Sequence, residues 1–223
     1  MCKDIGLIIK ENNIASQCDC QIEVKNKLRL KNSGLESVIE KYTFENYSEN
    51  EFHQKNIKKT AQEFVKRISE GKKSWFFIGG QSGVGKSHIC TAICSKLMEQ
   101  KLSLKYAIAN KVILRLKSLV MNVEDYYREM GHLIAVDVLY IDDLFKAQSV
   151  TNADIKVLFE ILNDRYIQNK ITIISSEKTI EDLERIDELE ALTGRVIEKA
   201  ENFIINIKKD SRKNFRKRNF LNL

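Results

Sequence analysis

The chain has 223 residues, 43% hydrophobic and 30% charged, with 37 lysines and arginines against 31 acids and a formal charge of +6. This usage excludes a disordered chain, and no apolar run approaches the ~20 residues of a membrane span. The charge surplus is local: seven basic residues and one acid lie between Lys208 and Arg218, which excludes a body that is basic on every face.

Residues 1–45 are polar, with Cys18 and Cys20 as a Cys-x-Cys and a basic patch from Lys25 to Lys31. They read as an appendage. The apolar run Ile5 to Ile9 has neither a basic lead nor a small-residue cleavage site. Five cysteines is an odd number at low density, which fits a reducing compartment; the expected location is the cytoplasm. Ser48-x-x-Glu51 reads as a capping box opening a helix, with Ile57, Ala61, Phe64, Val65 and Ile68 at helical spacing and Gly71 as its stop. From there strands and helices alternate. Strands are expected at Trp75–Ile78, Leu104–Ile108, Val136–Ile141, Ile171–Ile174 and Phe203–Ile207. Helices are expected at Lys86–Gln100, at Lys111 to about Met130 with a break near Asn122, at Thr151–Gln168, and across Thr179–Ala200. The pattern predicts an α/β domain over 46–207, a five-stranded parallel sheet with helices on both faces, followed by a basic tail, 208–223. Ligands in such sheets sit at the carboxyl ends of the strands.

Directly after the first of these strands stand Gly80, Gln81, Ser82, Gly83, Val84, Gly85, Lys86 and Ser87, the pattern G-x-x-x-x-G-K-[ST] between a strand and a helix. Glycines let several backbone N–H groups face one anion, and the helix N-terminus adds positive potential. Lys86 is expected on the β- and γ-phosphates of a nucleotide, and the Ser87 hydroxyl on Mg²⁺. The third strand ends in Asp142 and Asp143. The first acid suits the Mg²⁺ shell, and the second suits the attacking water. A strand–helix unit separates the two motifs in sequence, which suggests a strand inserted between them in the sheet, as in the ATPase branch that includes AAA+ proteins. No Asn-Lys-x-Asp motif for guanine is present.

Gly79 to His88, Asp137 to Lys146 and Thr172 to Glu177 together resemble the AAA+ replicative-helicase loaders of the DnaC/DnaI type, in versions carried by phages and prophages, over about residues 40–218. The resemblance implies ATP and Mg²⁺ as cofactors, single-stranded DNA and a replicative DNA helicase as partners, assembly into a homo-oligomer, and weak ATPase activity. It places His88 with the loop and the stretch Thr43 to Tyr47 beside the nucleotide, where Phe44 could pack on adenine or lie in the core. The fourth strand ends where the family carries its γ-phosphate sensor, usually Thr-Ser-Asn. Here Ser175, Ser176 and Glu177 occupy it; the resemblance leaves Ser176 as sensor and Glu177 facing elsewhere. Thr193 to Ile197 resembles the arginine-finger segment, which makes Arg195 a candidate for a neighbour's site. In the tail, Arg212, Lys213, Arg216 and Lys217, interleaved with Phe215, suit either the nucleotide or single-stranded nucleic acid. Transposition-accessory ATPases of the IstB type are similar to the same motifs, and an ATP-switched binding module with little hydrolysis is a further reading. Cys2, Cys18 and Cys20 lack the usual zinc spacing.

Overall fold

A computed structural model describes residues 6–9, 15–33, 35–146, 150–187 and 190–210. The chain opens on an antiparallel pair, β1 (Leu7–Ile9) and β2 (Ala15–Gln17), followed by α1 (Asp19–Ser33), α2 (Glu36–Ile39) and α3 (Phe52–Ser69). Then come β3 (Trp75–Gly80), α4 (Lys86–Glu99), β4 (Leu104–Ile108), α5 (Ala109–Ser118), α6 (Val123–Ile134) and β5 (Val138–Leu144). The rest is α7 (Asn152–Ile167), β6 (Ile171–Ser176), α8 (Ile180–Ile186), α9 (Ala191–Ala200), a 3-10 turn and β7 (Ile204–Ile207).

Five strands form one parallel sheet in the order β4-β5-β6-β3-β7. The strand between the phosphate loop's strand and the acidic strand is β6, so an inserted strand separates the two motifs, as expected. Alternation along β3 explains both cores. Phe76 and Ile78 face Phe64 of α3 and Ile89, Ile93 and Leu97 of α4. Trp75 and Phe77 face the other way, toward Leu158 and Leu162 of α7 and Leu192 and Val196 of α9. A strand buried on both sides must be apolar at every position, which is why the period-2 signal is absent from its sequence.

Several boundaries differ from expectation for local reasons. α3 begins at Phe52 with Glu51 as its cap: the Glu51 N–H donates to Gln54 Oε1 at 2.9 Å, so the box lies three residues after the Ser48 position. β5 starts at Val138 and runs on through both aspartates to Leu144, with a register irregularity between Ile141 and Leu144. The last helical region divides into α8 and α9. The break near Asn122 is real; its side chain caps α6 by accepting from the Asp125 N–H at 3.2 Å.

Residues 1–45 are not wholly an appendage, because α1 lies along the sheet edge. The Asn26 carboxamide donates to the Leu102 carbonyl at 2.7 Å and accepts from the Leu104 N–H at 2.9 Å. It occupies the place of a neighbouring strand at the end of β4, and at 3% exposure it keeps two edge groups paired. Asn26→Ala should lower stability by about 1–3 kcal/mol, since both groups lose their partner under cover; urea unfolding of the two chains checks this.

Candidate nucleotide site

The phosphate loop connects β3 to α4. Gly80, Gly83 and Gly85 hold φ of 111°, 79° and 88°, backbone that side chains resist. A Cβ on Gly80 would stand 2.0 Å from the Ile207 carbonyl oxygen, so β7 as well as the loop requires glycine there. Lys86 is 7% exposed, and its ammonium donates to the Gly80 and Gln81 carbonyls, each at 2.8 Å. Burial draws the Lys86 pKa down, against the pull of Glu177 and Asp143. The Gln81 carboxamide grips the chain beyond β7, accepting from the Asp210 N–H at 2.5 Å and donating to the Asp210 carbonyl at 2.8 Å.

β5 and β6 bring the acids to the same sheet edge. Asp142 is 8% exposed. Its carboxylate accepts from the Tyr106 hydroxyl at 3.0 Å, from the Asp143 N–H at 3.1 Å and from the Ser175 hydroxyl. Tyr106 pairs in register with Tyr140, two residues before Asp142, which places all three on one sheet face. Asp143 sits at the strand irregularity with φ 57° and accepts from Lys146 Nζ at 2.8 Å. Bulged, left-handed residues of this kind re-aim side chains at functional sites.

The serines correct one expectation. Ser176 is fully buried, its hydroxyl donating to the Leu144 carbonyl at 2.6 Å and accepting from the Lys178 N–H at 3.0 Å, which turns it into the loop. Ser175 is the one that reaches Asp142. Glu177 does not face elsewhere; it lines the cleft with Asp143, Lys146, Lys86 and Ser87.

The cleft, about 340 Å³, continues along Tyr42, Tyr47 and His88. His88 stacks on Tyr42 with centroids 4.8 Å apart and meets Tyr47 edge-on at 5.2 Å. Its Nε2 lies 2.8 Å from the Thr43 carbonyl, an acceptor only, which makes Nε2 the protonated nitrogen. Burial holds the His88 pKa below its ordinary value, against that hydrogen bond. Phe44 is 5% exposed within the α3–α4 core and does not line the cleft; Tyr42 and Tyr47 supply the aromatic wall instead. The Tyr47 hydroxyl is buried with no hydrogen-bond partner among the described residues.

A curled glycine loop around a lysine, two acids at the adjoining strand end and an aromatic wall fit a nucleoside triphosphate with a divalent cation. The family described as "IstB-like ATP binding protein" matches residues 5–220. The chain belongs to this family. Among curated relatives, phage-like element PBSX protein XkdC of Bacillus subtilis (strain 168) is 29% identical over 220 residues, 93% of this chain and 81% of that protein. Replicative helicase loader DnaC of Escherichia coli (strain K12) is 23% identical over 162 residues, 69% of this chain and 62% of DnaC. Among solved structures, AMPPCP-bound DnaA from Aquifex aeolicus aligns with a TM-score of 0.62 at 21% identity, over 82% of this chain and 56% of that one. The fold is that of the AAA+ P-loop ATPases, and the chain is a nucleotide-binding protein of the IstB-like family.

In this IstB-like chain Arg195 lies apart from the cleft. Arg195 stands on α9, where it donates to Asn163 Oδ1 at 2.9 Å and to the Ala191 carbonyl, with its guanidinium 4.6 Å from the Phe159 ring centroid. Arg212, Lys213, Arg216 and Lys217 lie outside the described residues, as does Cys2. Among the described residues Cys18 is a free thiol, no cluster of three potential metal ligands occurs, and no helix is long and apolar enough to cross a membrane. Sequence reasoning placed the stretch ending at Tyr47 beside the nucleotide but passed over Tyr42, Tyr106 and Lys146. Only Tyr106 carried a signal: given the strand register, alternation puts it on the face of Asp142.

Proposed function

We propose that this chain is an ATP-dependent loader that places a replicative DNA helicase on single-stranded DNA, working as a cytoplasmic homo-oligomer. The observation that carries the reading is the convergence of Lys86, Asp142 and Asp143 at one sheet edge, in a chain similar to DnaC along most of its length. Lys86 binds the β- and γ-phosphates. Ser87 and Asp142 are the residues to hold Mg²⁺, which when bound would offset phosphate charge. Asp143 accepts a proton from water as the water oxygen attacks the terminal phosphorus and ADP leaves. Asp143 is paired with Lys146 at 2.8 Å and must leave it to take that proton. Ser175 is the better-placed sensor, since it touches Asp142 directly. Arg195 serves a neighbouring subunit only after leaving Asn163. The basic tail, which follows the Gln81–Asp210 contact, reads as the DNA-backbone element.

The test is co-purification with a replicative helicase in ATP, in ADP and with Lys86→Ala. Expected is nucleotide-dependent capture that the variant loses; a chain that ignores helicase in every condition sinks the reading. The IstB-like match over residues 5–220 favours a second reading, a transposition-accessory ATPase. Capture of a transposase in place of helicase would select it.

A further inference from the structure

Lys146 lies on the cleft wall beyond the phosphate loop, between two carboxylates. It donates to Asp143 at 2.8 Å and stands 3.7 Å from Glu177. All three line the cleft with Lys86. The turn that brings Lys146 there is built rather than loose. Asp143 and Phe145 both take left-handed backbone, with φ 57° and 51°, and the Lys146 N–H closes back on the Asp143 carbonyl at 3.2 Å. Phe145, 1% exposed, anchors the turn in the core beneath β5. Two non-glycine residues held left-handed are costly, so packing imposes this shape.

The charge arrangement then has a consequence. A triphosphate entering the cleft meets Lys86 from the loop side, but Asp143 and Glu177 from the far side, where its terminal phosphate would lie. Two carboxylates against that phosphate are repulsive, and Lys146 is the cation placed among them. Its side chain is 47% exposed, and its flexible four-carbon stem lets the ammonium move without moving the backbone. We propose that Lys146 contacts the terminal phosphate of ATP, releasing Asp143 as it does so, and thereby gives the site a preference for triphosphate over diphosphate. Glu177, 3.7 Å from the ammonium, is a carboxylate that competes for it and repels the phosphate. This rests on the nucleotide-binding reading above.

Calorimetric titration of the full chain with a non-hydrolysable ATP analogue and with ADP tests it. Lys146→Met should reduce the ratio of triphosphate to diphosphate affinity by roughly tenfold, the scale of one partly exposed charge-assisted contact. Lys146→Arg should largely keep the ratio, and Glu177→Gln should not lower it. Should the methionine variant fail to fold, Lys146→Gln, which keeps a donor for Asp143 but no charge, reads the same ratio. A wild-type chain that prefers the triphosphate, with a Lys146→Met variant that keeps that preference or weakens both ligands equally, overturns this inference alone. A wild-type chain that binds neither ligand overturns the underlying reading as well.

Discussion

Replacing Arg165 with methionine should destabilise the chain by about 3–5 kcal/mol, the largest single stability loss expected outside the hydrophobic core. Arg165 is fully buried on α7, at 0% exposure. Its guanidinium serves six acceptors: Thr172 Oγ1 and the carbonyls of Leu133, Ile134, Val136, Asp137 and Ile171. Leu133 and Ile134 belong to the last turn of α6, whose carbonyls have no helical partner. The others stand at the entrances of β5 and β6. One planar fork thus closes a helix end and two strand starts at the edge of the sheet opposite the nucleotide cleft. Methionine fills much of the volume but supplies no donor; the Asp137 carbonyl keeps the Ile171 N–H at 3.1 Å, and each carbonyl left as an orphan costs about 1–3 kcal/mol before relaxation. Lysine would not substitute, because a point charge cannot face so many acceptors at once. For a chain of this size the loss corresponds to a fall in Tm of roughly 6–20 °C by calorimetry. A shift of only a degree or two would mean that water satisfies the carbonyls instead.

Lys86→Ala should weaken ATP binding by about a hundredfold or more, a few kcal/mol, while leaving the fold nearly unchanged. The two halves of that expectation come from one geometry. Among the described residues the ammonium donates only to loop carbonyls, Gly80 and Gln81, so its removal orphans no distant partner there. Burial depresses its pKa, so removing the charge relieves desolvation as well as losing two hydrogen bonds. Toward phosphate the same burial strengthens the interaction. The depressed pKa also sets a sign: as pH rises, Lys86 loses its charge earlier than an exposed lysine would, and ATP affinity should fall on the alkaline side ahead of it. Titration calorimetry across alkaline pH, with a thermal melt of the variant, checks both halves. Undiminished ATP affinity in Lys86→Ala would remove the loop from the binding site.

Much of this was legible in the residues. The phosphate loop depends on a contiguous pattern, and its strand–turn–helix context could be read from apolar runs on each side. The helix start at about Thr151 and the break at Asn122 are local chemistry, and both appear where expected. What depends on register was not legible. Ser175 and Ser176 are neighbours of one residue type, and only the β5–β6 pairing decides which hydroxyl meets Asp142 and which is spent on Leu144. Phe44 and Tyr42 stand two residues apart in a turn without regular periodicity, so nothing local says which enters the core and which the cleft. Asn26 was invisible for a further reason: its partners lie 76 and 78 residues away.

The crowding at Gly80 bears on how relatives of this chain should be judged. With 2.0 Å between its notional Cβ and the Ile207 carbonyl oxygen, that glycine is required by the meeting of β3 and β7 whether or not any phosphate ever arrives. Lys86 carries no such architectural duty. A lineage that abandoned ATP could therefore discard the lysine early and retain the glycine indefinitely. In degenerate copies the motif should erode from its lysine inward, and a surviving first glycine is a record of ancestry, not of activity.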